Sequence, residues 1–159
     1  MEFNLINVGI ADLGVASQSD ILRTILGSCV GICLYDSETK TGGLAHIMLP
    51  VRKSETSSAK KYADSALPLL LDEMEKIGSN ISRLSAKVVG GATMFNLSEN
   101  SMMSEIGRNN IKKVRELLKE RDIPVLAEDI GGDYGRTIDF YLDTGEIKIK
   151  SLSKEDIVI

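Results

Sequence analysis

Apolar and polar positions change period along the chain, and each change marks a new element. Residues 4–16 alternate weakly, with Leu5, Asn7 and Gly9 set against Ile6, Val8 and Ile10, and predict one or two short strands. Ile21 to Leu26 is a third strand. Cys29 to Tyr35 is a fourth, in which Val30, Ile32 and Leu34 face one way and Cys29, Gly31, Cys33 and Tyr35 the other. The polar run from Asp36 to Gly42 has turn chemistry and Gly43 to Leu49 is a fifth strand, so the two arms read as a β-hairpin with a long loop.

Beyond a polar loop at 51–58 the period becomes helical. Tyr62, Ala66, Leu69, Leu70, Met74 and Ile77 fall on one face of a helix over 59–77, with Ser57 or Ser58 as its cap and Gly78 as its stop. Pro68 lies inside and predicts a kink or a break. Leu84 to Val89 is a β-branched strand ending in Gly90-Gly91, and residues 92–104 are irregular. A second amphipathic helix runs from Ile106 to Glu120, with Ile111, Val114, Leu117 and Leu118 inward. Val125 to Ala127 is a short strand leading into a glycine-rich loop, and Thr137–Leu142 with Glu146–Leu152 form a hairpin closed by Asp143-Thr144-Gly145. About eight strands, mostly joined by hairpins, with two helices predict an α+β sandwich rather than a parallel doubly wound sheet.

Composition narrows the classes. A chain of 159 residues is one domain by size and buries roughly 70% of its unfolded surface. The net charge is −4, with lysines and arginines scattered among acids, so the basic stripe of a nucleic-acid binder is missing. No apolar run is long enough to span a bilayer and the first residues do not read as a signal peptide, which predicts a cytoplasmic protein. In that compartment the two cysteines are expected to be free thiols.

Candidate chemistry centres on Cys29. The preceding Gly27-Ser28 makes a tight turn, so the backbone amides of Ser28 and Cys29 can point together at a developing oxyanion. The cysteine sits at the end of an element, where exposure is expected. Pairing the hairpin backward from its loop brings His46, the sole histidine, beside the Gly31–Cys29 end of the partner strand. There it can hold a thiolate as an ion pair and lower its pKa. The competing reading is a small buried cysteine and a core histidine, which is the commoner fate of both residue types. Cys33 is mid-strand without a glycine turn and reads as structural. Thr24, Ser28, Asp36 and Asn109 are open as the group that orients the imidazole. Two cysteines and one histidine argue against a zinc site, and Gly90-Gly91 lacks the Lys-Ser/Thr helix start of a phosphate loop.

Six segments in register resemble the CheD family of chemotaxis proteins. They are Leu26-Gly27-Ser28-Cys29-Val30, Ala45-His46-Ile47-Met48-Leu49-Pro50, Lys61-Tyr62-Ala63-Asp64, Lys87-Val88-Val89-Gly90-Gly91-Ala92-Thr93-Met94-Phe95, Ile106-Gly107-Arg108-Asn109 and Ala127-Glu128-Asp129-Ile130-Gly131-Gly132. The resemblance implies a three-layer α/β/β sandwich and a receptor-glutamine deamidase that needs no cofactor or metal. It implies Cys29 as nucleophile, His46 as general base and then acid, and a threonine ahead of the turn as third residue. The family's threonine stands six positions before the cysteine; here that position is Arg23, and Thr24 is the threonine assigned. Methyl-accepting chemoreceptors are the implied substrate and CheC, a phosphatase of the response regulator, the implied partner. The alternative is a non-catalytic adaptor that binds and regulates a CheC-type phosphatase.

Overall fold

A computed structural model describes residues 2–94 and 102–159, with the side chains of 102–104 excepted. Among the described residues the chain forms ten strands and two α-helices. The strands are β1 (Asn4–Asn7), β2 (Asp12–Ser17), β3 (Asp20–Leu26), β4 (Val30–Asp36), β5 (Thr41–Ile47), β6 (Ser85–Gly90), β7 (Val125–Ile130), β8 (Arg136–Tyr141), β9 (Ile147–Lys150) and β10 (Ile157–Val158); the helices are α1 (Ala63–Lys76) and α2 (Met102–Glu120). One five-stranded sheet has the order β1-β3-β8-β9-β10, the other β2-β5-β4-β6-β7. Each is antiparallel except for one parallel pair, β1 with β3 and β6 with β7. The fold is α+β.

The strand alternation builds three layers. Val30, Ile32 and Leu34 of β4 and Ala45 and Ile47 of β5 pack against the helices, touching a cluster that includes Leu67, Leu70, Met74, Val114 and Leu118. Cys29, Cys33 and Leu44 belong to the opposite cluster, with Leu22, Leu26, Ile138, Phe140 and Ile147 of the first sheet. The central sheet is therefore covered on both faces. That is why β4 reads as a continuous apolar run instead of a clean alternation. Each fully buried Leu or Ile here contributes about 1.5–3 kcal/mol.

Several predicted details change. The first helix begins at Ala63 after a 3₁₀ turn at Ala59–Lys61, and no serine side chain caps it. The carbonyls of Leu49 and Pro50, just past β5, accept from the amides of Ala63 and Asp64 instead (2.9 and 3.2 Å). The helix start is thus tied to the strand that carries His46. The helix runs through Pro68 unbroken, because Leu67, Leu70 and Leu71 are buried around it and their packing outweighs one lost hydrogen bond. Gly78 does end it, at φ +100°. Ile77 is exposed rather than inward; the buried face is Ala63, Ala66, Leu67, Leu70, Leu71 and Met74. Of the stretch read as irregular, 95–101 lies outside the described residues, and Met102 already belongs to α2.

Candidate active site

β3 supplies the first group. Leu22, Thr24 and Leu26 point inward and are buried, while Arg23 and Ile25 point out. Arg23 is spent on Asp139, its opposite neighbour on β8, in a two-pronged ion pair at 2.6 and 2.8 Å. The pleat therefore chooses between the adjacent residues: Thr24, not Arg23, faces the space between the sheets.

β5 supplies the second. His46 sits opposite Gly31 on β4 and Asp12 on β2 and is only 3% exposed. Its Nδ1 lies 2.7 Å from Thr24 Oγ1. The same Oγ1 donates to the Val8 carbonyl at 2.7 Å. A hydroxyl has one hydrogen, and a carbonyl can only accept, so Thr24 must accept from an Nδ1–H. The hydrogen-bond network thus assigns the tautomer and leaves a bare lone pair on Nε2. Nε2 is buried and has no hydrogen-bond partner among the described residues. Of the other orienting candidates, Asp36 is at the far end of β4 with Arg83, Asn109 is exposed, and no imidazole bond reaches Ser28.

The turn before β4 supplies the third. The Gly27 carbonyl accepts from the Ala92 amide (3.0 Å), that of Ser28 from Asn110 Nδ2 (3.3 Å) and that of Cys29 from the Gly91 amide (2.9 Å). In a trans peptide the N–H points opposite its carbonyl. With the Gly27 and Ser28 carbonyls engaged behind the turn, the Ser28 and Cys29 amides are turned the other way. Gly90 makes the close approach possible: it has φ +108°, and a Cβ there would run into the Cys29 carbonyl oxygen.

Cys29 and His46 line one open cleft of about 500 Å³, with Thr24, Ser28, Ile25 and Met94. Residues 8–11 cross from one sheet to the other beside it: the Val8 amide donates to Arg23 of the first sheet and the Ala11 amide to His46 of the second. Cys29 is 9% exposed, which corrects the expectation of an exposed thiol; the Gly27–Cys29 turn packs against Gly90, Gly91 and Met94. The expected ion pair is corrected too. Burial pushes the Cys29 thiol up, partly offset by its own backbone amide, and pushes His46 down to about 4. Desolvation penalises both charged forms, so the resting pair is a thiol and a neutral imidazole. Cys33 is fully enclosed between the sheets and burial pushes its thiol far up. A separate groove between α2 and β7 is lined by Arg108, Lys112, Arg115 and Lys119, with neither a cysteine nor a histidine among its described lining residues.

One residue of this arrangement escaped the sequence reading. Asn110 of α2 is fully buried and donates to the carbonyls of Ser28 and Met48. The signal was its phase: it precedes Val114 by four residues, so it falls within the helix's apolar stripe.

The fold and cleft define a class: an α/β/β sandwich with a thiol, an imidazole and a hydroxyl gathered where the two sheets meet. The family model described as CheD chemotactic sensory transduction matches residues 48–151, and the chain belongs to the CheD family. A Clostridium botulinum (strain Hall) protein is 50% identical over 155 residues, covering 96% of each chain, and a Clostridium novyi protein is 49% identical over 150 residues, covering 92% of this chain and 93% of its own. Both carry the name probable chemoreceptor glutamine deamidase CheD. Among solved structures, a Neisseria meningitidis protein of family DUF152 aligns at a TM-score of 0.50 and 10% identity over 82% of this chain; the chain spans 63% of that protein's length, and the likeness is one of fold. No helix among the described residues is long and apolar enough to cross a membrane.

Proposed function

We propose that the protein is a cytoplasmic amidohydrolase that deamidates glutamine side chains of chemoreceptors, with Cys29 as nucleophile, His46 as base and acid, and Thr24 as the residue that orients the imidazole. The relatives named as glutamine deamidases support the substrate class. The observation that carries the mechanism is the Val8–Thr24–His46 chain of hydrogen bonds, which leaves an unshared Nε2 lone pair in the cleft that Cys29 lines.

Because both groups rest neutral, proton transfer accompanies attack. His46 Nε2 takes the thiol hydrogen as sulfur bonds to the carboxamide carbon, and the oxyanion is held by the Ser28 and Cys29 amides. Collapse breaks the C–N bond, and Nε2–H⁺ gives its proton to the leaving nitrogen, which departs as ammonia. The thioester left on Cys29 is then attacked by water, whose proton passes to neutral Nε2. The second collapse releases glutamate, and sulfur recovers its hydrogen from the imidazolium. Net, an amide and water become a carboxylate and ammonium, so each turnover adds one negative charge to the receptor.

Ammonia release from a receptor-helix peptide tests this: wild type releases it and Cys29→Ala does not. Release by wild type no greater than by the mutant overturns the enzyme. The burial of both the thiol and the imidazole favours a second reading, a non-catalytic adaptor for a CheC-type phosphatase; binding of that phosphatase without ammonia release is its signature.

A further inference from the structure

We propose that Asn110 is a positioning residue for the reaction: a clamp that holds the Cys29 turn in register with the strand carrying His46. The inference rests on the Cys29–His46 reading above.

Nucleophile and base arrive on different pieces of chain. Cys29 ends the turn that leads into β4, whereas His46 is near the end of β5, and strand pairing fixes only Val30 onward against Ile47 and earlier residues. The Cys29 turn and the segment after Ile47 both lie beyond the ladder. Asn110 joins them. Its Nδ2 donates to the Ser28 carbonyl at 3.3 Å and to the Met48 carbonyl at 2.9 Å. Ser28 precedes the nucleophile by one residue, and Met48 follows the base by two.

The amide has been placed there at a cost. Asn110 is fully buried and its Oδ1 is buried without a hydrogen-bond partner among the described residues. Facing two carbonyls, the group has to present its NH₂ to them, which strands the oxygen. An apolar residue would suit the stripe of Ile111, Val114 and Leu118 better. What an apolar residue lacks is the pair of donors. Backbone closeness delivers them: α2 crosses behind the turn with Gly107 against Gly91, where a Cβ on either glycine would strike the other segment. The bond to Ser28 also has a chemical end. It holds the carbonyl of the Ser28–Cys29 peptide, and so aims that peptide's N–H, one of the two oxyanion donors.

A double-mutant cycle read by alkylation tests the clamp without a receptor substrate. Iodoacetamide modification of Cys29 is followed by mass spectrometry in the full chain for wild type, His46→Ala, Asn110→Leu and the double variant. In the wild-type background His46→Ala slows the reaction roughly tenfold, through loss of base assistance. In the Asn110→Leu background the same change alters the rate less than about twofold, since the imidazole no longer addresses the sulfur. Val114→Ala, a fully buried control one turn on, lowers the melting temperature and keeps the tenfold ratio. If Asn110→Leu keeps that ratio, the clamp is overturned while the Cys–His reading stands. If wild type shows no His46 effect, both fall. Should Asn110→Leu not fold, Asn110→Ser enters the same cycle with the same two outcomes.

Discussion

Thr24 Oγ1 stands 2.7 Å from His46 Nδ1 and at the same time gives its hydrogen to the Val8 carbonyl, so the threonine serves the histidine as an acceptor. Thr24→Val keeps the shape and removes the acceptor. The ring then loses both its orientation and its assigned tautomer. Ammonia release is expected to fall by roughly 10–100-fold, with Thr24→Ser retaining most of the activity. Steady-state kinetics on a receptor peptide check both; equal activity in Thr24→Val would remove the threonine from the machinery.

The buried imidazole predicts a pH-dependent stability. Its folded-state pKa is pushed down by burial to about 4, below the 6.5 of an unfolded histidine. Between those values the unfolded chain binds a proton that the native one does not, so stability rises with pH. The contribution is complete above about pH 6.5 and is lost as pH falls toward 4, amounting to about 3 kcal/mol. Urea melts of wild type and His46→Ala across pH 4–7 check it: the variant's midpoint should lack this part of the slope.

The same neutral resting state places the acid limb of kcat/KM near pH 4, where free-enzyme His46 takes up its proton. Ammonia release measured from pH 3.5 to 8 reads the limb directly. A limb at 6 to 7 would mean that the imidazole is hydrated in the working protein.

The two cysteines should separate cleanly under alkylation. Cys29 lines the cleft, and Cys33 is 1% exposed between the sheets. Native protein is expected to take one carboxamidomethyl group at Cys29, with Cys33 at least about 1000-fold slower because it waits for unfolding. Peptide mapping after short labelling, with a urea-treated control that takes two, decides it.

Gly90→Ala and Gly78→Ala form a matched pair. Both glycines have φ near +100°, so each alanine is strained by about 1–3 kcal/mol. At Gly78 the added methyl meets open space, whereas at Gly90 it meets the Cys29 carbonyl. Melting temperatures should drop in both variants, and activity, by about 100-fold, only in Gly90→Ala.

Much of this was legible in the sequence because it rests on pairing and alternation. The hairpin arithmetic set His46 near the Gly31–Cys29 end of its partner strand, and the alternation of β4 sorted Cys29 and Cys33 onto the face opposite Val30, Ile32 and Leu34, as found. Thr24 was readable too, through its shared phase with Leu22 and Leu26. What the sequence did not disclose depends on approach between distant segments. Nothing local announces that the Leu49 and Pro50 carbonyls, rather than a serine, start α1. The choice of Asn110 over its exposed neighbour Asn109 needed the exact phase of α2. The burial of Cys29 depends on how closely Gly90 and Gly91 come to the turn, a matter of tertiary packing that no window of sequence carries.

The parallel pairing of β1 with β3 reaches further than the sheet it closes. The Val8 carbonyl lies just past β1, an edge strand, and it alone claims the threonine's hydrogen. Were that edge displaced, the hydroxyl would be free to donate to Nδ1, which would place the ring proton on Nε2 and remove its bare lone pair. The whereabouts of a single hydrogen in this protein is thus tied to one backbone carbonyl just past an edge strand.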